Sequence, residues 1–390
     1  MAIGDMTSQR AVRQTERHVT AEGIASKRLP VGKEGTVLFA MYASVGTVSI
    51  LDIEASWNQA ILGMEPIPSL ADRQFLFYWL LSLRPHLREF FRSNTQDNLN
   101  ADQVGNLPYP VLTVEQQRAI ADFLDAETAR IDALIAKKRR LATKLGERRL
   151  STMLRGVSGR LMSSVRMVDS RLPWVSHRPE HWDEPLLRLL ARLGSGHTPS
   201  RSRPEWWTDC TIPWITTGEV TQMREDRIEH ITETREKISE TGMANSSAEL
   251  HPSGTVVLSR TASAGFSAIM GQDMATSQDF VTWTCGPLLD PRYLLLCLRA
   301  MRPDLLGRLA QGSTHKTIYM PDIETIRIPL PALREQKAIV EAVWRSLHKI
   351  DKMTSLLGRQ IQLLLEHRQA LITAAVTGEI EVPGTTIPQP

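Results

Sequence analysis

Residues Gly35-Thr-Val-Leu-Phe-Ala-Met-Tyr-Ala-Ser-Val-Gly46 align without a gap on Gly254-Thr-Val-Val-Leu-Ser-Arg-Thr-Ala-Ser-Ala-Gly265, 219 residues later. At the same offset Gln59 falls on Gln278, Gln117 on Gln336, Ile131-Asp132 on Ile350-Asp351 and Gly159 on Gly378. Such a period far exceeds the 20–50 residues of solenoid repeats, so the unit is a whole domain with its helix. A chain of 390 residues has room for two or three domains, each with its own core. Duplication predicts two similar sites about a pseudo-two-fold axis, a geometry suited to a long, regularly repeating ligand.

Two segments read as long helices. The first opens at Thr113-Val-Glu-Gln116, which has capping-box form, and runs without proline to Gly156. Ile120, Leu124, Ile131, Leu134, Leu141 and Leu145 form its heptad-like apolar stripe. The second follows Pro329-Leu-Pro331 and carries Ile339, Val343, Leu347, Ile350, Leu357, Ile361, Leu364 and Leu371. At 1.5 Å per residue each helix is about 65 Å long. One narrow stripe per helix is best buried against the other helix, and the duplication favours antiparallel pairing.

The remaining chain mixes short β-like runs (35–39, 45–51, 254–259, 280–285) with apolar helical stretches at 75–83 and 293–299. The fold class is therefore a duplicated α/β (α+β) one, with two mixed globular domains joined by a helix pair. The predicted boundaries are 1–112 for the first domain, 113–159 for its helix and 160–181 for a linker broken by Pro173 and Pro179. The second domain follows at 182–331, its helix at 332–378 and a tail at 379–390.

The first copy is shorter. Gly4-Asp-Met-Thr7 resembles Gly218-Glu-Val-Thr221, and nothing in the first copy answers to residues 172–215, with Trp182, Trp206-Trp207 and Ile212-Pro-Trp214. The first domain is expected to be incomplete at its N-terminus, through a deletion, a misplaced start or a piece supplied by another chain.

Net charge is only +3, so any basic surface must be local. Three scattered cysteines (Cys210, Cys285, Cys297) fit a reducing compartment, and there is neither a signal region nor an apolar run of membrane length. A soluble cytoplasmic protein is expected.

Each copy ends in a turn, Pro108-Tyr-Pro110 or Pro329-Leu-Pro331, followed by a helix start, Glu115-Gln-Gln-Arg-Ala-Ile120 or Glu335-Gln-Lys-Ala-Ile339. With Met41-Tyr-Ala-Ser-Val-Gly46, Arg260-Thr-Ala-Ser-Ala-Gly265, Trp57-Asn-Gln59, Thr276-Ser-Gln278, Gly196-His-Thr-Pro-Ser200 and Pro204-Glu-Trp-Trp207, this order resembles the specificity (S) subunit of type I restriction-modification systems. The resemblance covers nearly the whole chain. It implies two target-recognition domains, each reading half of a split double-stranded DNA sequence, with the helices as a spacer. It also implies adenine-methylating M subunits on those helices, R subunits joining for cleavage, and no catalysis or cofactor in the S subunit itself.

Reading base edges calls for short polar side chains and arginines, with other polar groups on phosphates. The second domain offers Thr198, Ser200, Arg201 and Arg203 in one loop, Thr216 and Thr217 after an apparent strand, Arg260, and Thr314, His315 and Lys316. Any one of these residues alone reads as part of a solvated turn; the shared composition of three loops reads as a binding face. The matching candidates in the first domain are Tyr42, Ser44, Asn58, Thr95, Gln96 and Asn98. Gln59 and Gln278 are equally well explained as buried amides bonding backbone. Lys137-Lys-Arg-Arg140 projects all round a helix, and its repeat counterpart Leu356-Leu-Gly-Arg359 is not basic, so a solvated face is the plainer reading.

Catalytic patterns are weak. Asp322 with Glu335-Gln-Lys337 imitates a magnesium-binding nuclease signature, but Glu335 and Lys337 open a helix, and the first copy has Gln116 and Arg118 there. No Asn-Pro-Pro-aromatic tetrapeptide or glycine-rich cofactor loop is present. His177 and His181 straddle Pro179 and suit a linker better than a metal site, and Gly194-Ser-Gly196 reads as a turn. Trp206, Trp207 and Trp214 suit base stacking, but a core role is favoured. Rival readings are a coiled-coil scaffold that does not bind DNA, and a truncated, half-specific or inactive S subunit.

Overall fold

The computed structural model describes residues 1–6, 10–90, 98–161, 165–261, 263–312 and 316–385, the side chains of Arg88 and Phe90 excepted. The chain forms two compact units, Met1–Arg140 with Leu357–Pro390, and Leu141–Leu356. No helix among the described residues is long and apolar enough to cross a membrane.

The first unit opens with a 3-10 turn at Ile3–Met6. Then come β1 (Ala11–Val12), α1 (Ala21–Lys27), β2 (Val31–Gly32), β3 (Val37–Ala40), β4 (Val48–Leu51), β5 (Ala55–Ser56) and β6 (Ile61–Met64). Helices α2 (Arg73–Leu83) and α3 (Ala101–Gly105) precede the long α4 (Val114–Val157). The main sheet has the order β1-β4-β3-β6, and β2 pairs with β5. β3 is buried on both faces because its side chains alternate with period two. Val37 and Phe39 pack towards Phe75 and Tyr78 of α2, while Leu38 and Ala40 pack with Met6 and Ile61.

The second unit contains β7 (Met167–Asp169), β8 (His177–Pro179), β9 (Ala191–Ser195), β10 (Ile212–Ile215), α5 (Val220–Met223), β11 (His230–Ile231), β12 (Glu236–Ile238) and α6 (Glu240–Ala244). β13 (Val256–Ser259), β14 (Ser267–Met270), β15 (Ala275–Thr276), β16 (Phe280–Cys285), α7 (Pro291–Asp304), α8 (Met320–Glu324) and the long α9 (Leu333–Thr377) follow. The sheets are β11-β14-β13-β16-β9 and β12-β10-β15. β1, β3, β4 and β6 recur at the same offset as β11, β13, β14 and β16, in the same order; β9 and β10 have no counterpart among the described residues of the first unit. The repeated glycines close the turn after the central strand. Gly46 (φ 83°) and Gly265 (φ 90°) occupy the left-handed region, and a Cβ on Gly46 would lie 2.5 Å from Leu87 Cδ1.

Where a linker is expected, β7 and β8 form an antiparallel ribbon, with Met167 opposite Pro179 at its end, where a missing N–H is tolerated. Within the second unit, Asp226 collects Arg302 (2.5 Å), Arg299 (3.4 Å) and Arg149 (3.6 Å). Burial pushes the Arg299 guanidinium down to about 10, against the opposing pull of Asp226.

The expected capping box is present: Thr113 N donates to Gln116 Oε1 (2.9 Å) and Gln116 N to Thr113 Oγ1 (3.2 Å). In the first unit Asp132 pairs with Arg368 (3.0 Å) and Lys138 donates to Gln360 (2.7 Å). In the second, Arg149 pairs with Asp351 (3.0 Å) and Gly156 lies against Val343. In each unit rising numbers on α4 meet falling numbers on α9, so the helices run antiparallel there. One correction applies to the α4 stripe: Leu134 and Leu141 are exposed, whereas Ile131, Ile135 and Leu145 are buried. Of the stripe read for α9, Ile339, Val343, Leu347, Ile350 and Leu357 are buried, and Ile361, Leu364 and Leu371 are half-buried.

Candidate nucleic-acid interface

Three loops that carry candidate residues of the second domain bond one short segment, residues 276–279, between β15 and β16, and a fourth bonds Arg260. His197 N donates to Thr276 O (3.0 Å), Ser277 N to Ile215 O (2.9 Å), Arg260 N to Asp279 O (2.8 Å) and Ile318 N to Arg260 O (2.8 Å). Thr198 Oγ1 adds a bond to Gln278 Oε1 at 2.6 Å. Four loops that are far apart in sequence are thereby tied to one end of the sheet.

The 198–203 loop is held rather than loose. Arg201 stacks over Trp207 (4.0 Å to the ring centroid) and reaches Trp214 (5.6 Å), while its NH2 meets Glu236 Oε2 at 2.7 Å. Such a cation over an indole face is attracted by the ring quadrupole. Trp207 Nε1 donates to Ser200 O (3.2 Å), Ser200 and Ser202 hydroxyls meet at 2.8 Å, and Arg203 lies 3.7 Å from Glu205. Trp214 is core as expected; Trp206 and Trp207 are half-buried. Thr216 is half-buried where it begins the 3-10 turn Thr217–Glu219, and Thr217 is exposed. Arg260 is half-buried with an Nε that finds no hydrogen-bond partner. Lys316 Nζ donates to Leu306 O (2.9 Å). Thr314 and His315 lie outside the described residues.

The first domain repeats part of this. Met41 N donates to Ala60 O (2.8 Å) and Leu99 N to Met41 O (3.0 Å), the same bonds at the same offset. Tyr42 and Ser44 sit on the exposed turn after β3, Asn58 Oδ1 accepts from Ala60 N (3.1 Å), and Asn98 is half-buried beside Leu99. Thr95 and Gln96 lie outside the described residues. Asp5 Oδ1 accepts Glu16 N (3.1 Å), as Glu219 Oε1 accepts Arg235 N (2.8 Å), which matches the first copy's opening turn to the 3-10 turn of the second.

Gln59 and Gln278 are both exposed, so neither is a buried amide. That role belongs to Gln117 and Gln336, which bond the backbone beneath α2 and α7. Sequence reading passed over Asp279, whose carboxylate takes the hydroxyls of Thr261 and Ser277 and whose carbonyl anchors Arg260. Its counterpart, Ala60, has no carboxylate, so the repeat left no signal there. Lys138, in the basic run, faces α9.

A sequence profile of the Type I restriction modification DNA specificity domain matches residues 4–142 and 179–367. The chain is 26% identical over 163 residues to the Type I restriction enzyme MjaIX specificity subunit of Methanocaldococcus jannaschii, covering 41% of this chain and 37% of that protein. It is 33% identical over 75 residues to the StySPI specificity subunit of Salmonella potsdam, covering 19% and 16%. The matched stretches therefore span well under half of either relative. Among solved structures, a chain from a study of complex assembly and conformational transition in the type I R-M system superposes with a TM-score of 0.69 at 17% identity, over 97% of this chain and 91% of that one. The HsdS subunit of Thermoanaerobacter tengcongensis gives 0.52 at 16%, over 97% and 90%. At these identities the likeness is one of fold.

Proposed function

Because the chain belongs to the type I restriction-modification DNA specificity family, we propose that it is the recognition subunit of such a complex, reading a bipartite double-stranded DNA site and docking adenine methyltransferase and restriction subunits without catalysing a step itself. The recognition domains are residues 1–112 and 182–331, and residues 113–159 and 332–378 are the spacer helices. The observation that supports this reading is that three polar loops bond residues 276–279 and a fourth bonds Arg260 beside them, an arrangement partly repeated in the first domain. Loops bound to a sheet end can present donors and acceptors to base edges without first being ordered, which lowers the entropic cost of binding.

Within that face the roles divide. Arg260, half-buried and fixed through its backbone to Asp279 and Ile318, is the guanine reader; Thr217, Ser44 and Asn58 are exposed and small enough to meet base edges or phosphates. Arg201, engaged by Glu236 and two indoles, holds its loop in shape. Co-expression with the partner methyltransferase and mapping of methylated adenines tests the proposal. A split methylation motif is expected, and Arg260→Ala should relax one half of it, weakening binding by roughly 1–3 kcal/mol. Absence of any sequence-selective, salt-sensitive binding would leave a scaffold that does not bind DNA.

A further inference from the structure

Of residues 276–279, three are taken up by the fold itself. Thr276 and Ser277 are buried, and Asp279 is half-buried with its carboxylate on two hydroxyls and its carbonyl on Arg260 N. Gln278 is the exposed one. The 196–198 segment runs beside it, so close that a Cβ on Gly196 would collide with Thr276 O. That approach brings Thr198 Oγ1 to 2.6 Å from Gln278 Oε1. Among the described residues no other hydrogen bond engages this side chain, so its Nε2 and one lone pair of Oε1 stay open.

The duplication sets this amide apart from its neighbours. Residues 57–60 read Trp-Asn-Gln-Ala where residues 276–279 read Thr-Ser-Gln-Asp, so the glutamine alone is common to both. It is exposed in both copies. Burial accounts for the shared Gln117 and Gln336, but not for this pair. A side chain that two otherwise different loops keep on the outside points to a contact beyond the chain, of one kind for both domains.

A glutamine amide holds one acceptor and one donor side by side. In the major groove adenine presents the complement, the N6 donor beside the N7 acceptor, whereas O6 and N7 of guanine both accept and would oppose Oε1. A phosphate offers acceptors only and uses half of the amide. The Thr198 hydroxyl restrains the glutamine before any ligand arrives, which lowers the entropic cost of ordering it.

We infer that Gln278 reads an adenine in the half-site of the second domain, through N6 and N7, and that Thr198 is its positioning residue. Gln59 has the same task in the first domain. Both assignments rest on the recognition reading proposed above and add one base to each half-site.

The full chain, co-expressed and purified with the partner methyltransferase, selects from a pool of duplexes of random sequence. The unaltered complex should choose a split motif with an adenine in each half. Gln278→Leu should make one adenine of one half degenerate, its preference falling roughly 5- to 150-fold, with all other positions kept. Gln278→Glu, an acceptor only, should move that position towards cytosine. Thr198→Val should loosen the same position and Thr198→Ser restore it, while Gln59→Leu should loosen an adenine of the other half. An unchanged motif in Gln278→Leu, or binding weakened equally for every sequence as at a phosphate contact, would overturn the assignment and leave the recognition reading standing. If the unaltered complex selects no motif, both fall.

Discussion

At Gln336 the side chain is wholly buried, yet its amide is satisfied: Oε1 accepts Asp290 N (2.8 Å), and Nε2 donates to Leu288 O (2.8 Å) and Pro331 O (2.9 Å). Gln117 does the same, accepting Asp72 N (2.8 Å) and donating to Leu70 O and Leu112 O (3.0 Å each). In both domains the fastened residue is the aspartate that caps the preceding helix, so one amide ties the long helix to the domain it leaves. Gln336→Leu orphans three backbone groups at once and should cost at least about 3 kcal/mol, since each buried unsatisfied group costs about 1–3. Gln278→Leu, at an exposed position, should stay within about 0.5 kcal/mol. Urea unfolding of the two variants distinguishes the cases; equal midpoints would refute the tie. Both pairs of glutamines are equally visible in the repeat, because a gapless alignment carries no sign of which amide is buried.

Among the elements, α4 shows what a stripe can and cannot reveal. Ile131 is followed by an apolar residue at i+3 (Leu134) and another at i+4 (Ile135), and either continues a helical face. Only the position of the packed partner selects Ile135, 4% exposed, over Leu134 at 43%. Ile135→Ala is expected to destabilise by about 2–4 kcal/mol and Leu134→Ala by less than about 1. Thermal unfolding reads both; similar losses would put the seam in doubt. The ion pairs obey the same logic at long range. Asp132 takes Arg368 and Asp351 takes Arg149, so each copy of the repeated Ile-Asp pair supplies the acid for the other copy's arginine. Reciprocity of this kind is what a self-complementary contact produces. Residues 160–181 read as a linker because Pro173 and Pro179 break any helix; they form a ribbon because strand pairing needs only that a proline sit where its absent donor is not used.

For the whole molecule, the proposed function makes the two long helices the spacer between half-sites, and their length is the quantity to vary. Removing one heptad from each shortens it by about 10 Å at 1.5 Å per residue. The methylated motif should keep both half-sequences while its spacer changes; an unaltered spacer would exclude the helices as the ruler. Sequence alone determined the duplication, the helix caps, the central strands and the family resemblance, because periodicity, capping pairs and turn glycines are local signals repeated at a fixed offset. The match of the first copy's opening turn to residues 218–221 was legible as a short likeness of sequence, at an offset of 214 rather than 219. Tertiary structure alone decided which loops meet at residues 276–279, which of two adjacent leucine-like positions faces the partner helix, and which repeated glutamine is buried. It also decided that Arg201 stacks on an indole. Each of these depends on residues brought close by the fold from far along the chain, and distance in space leaves no period in a sequence.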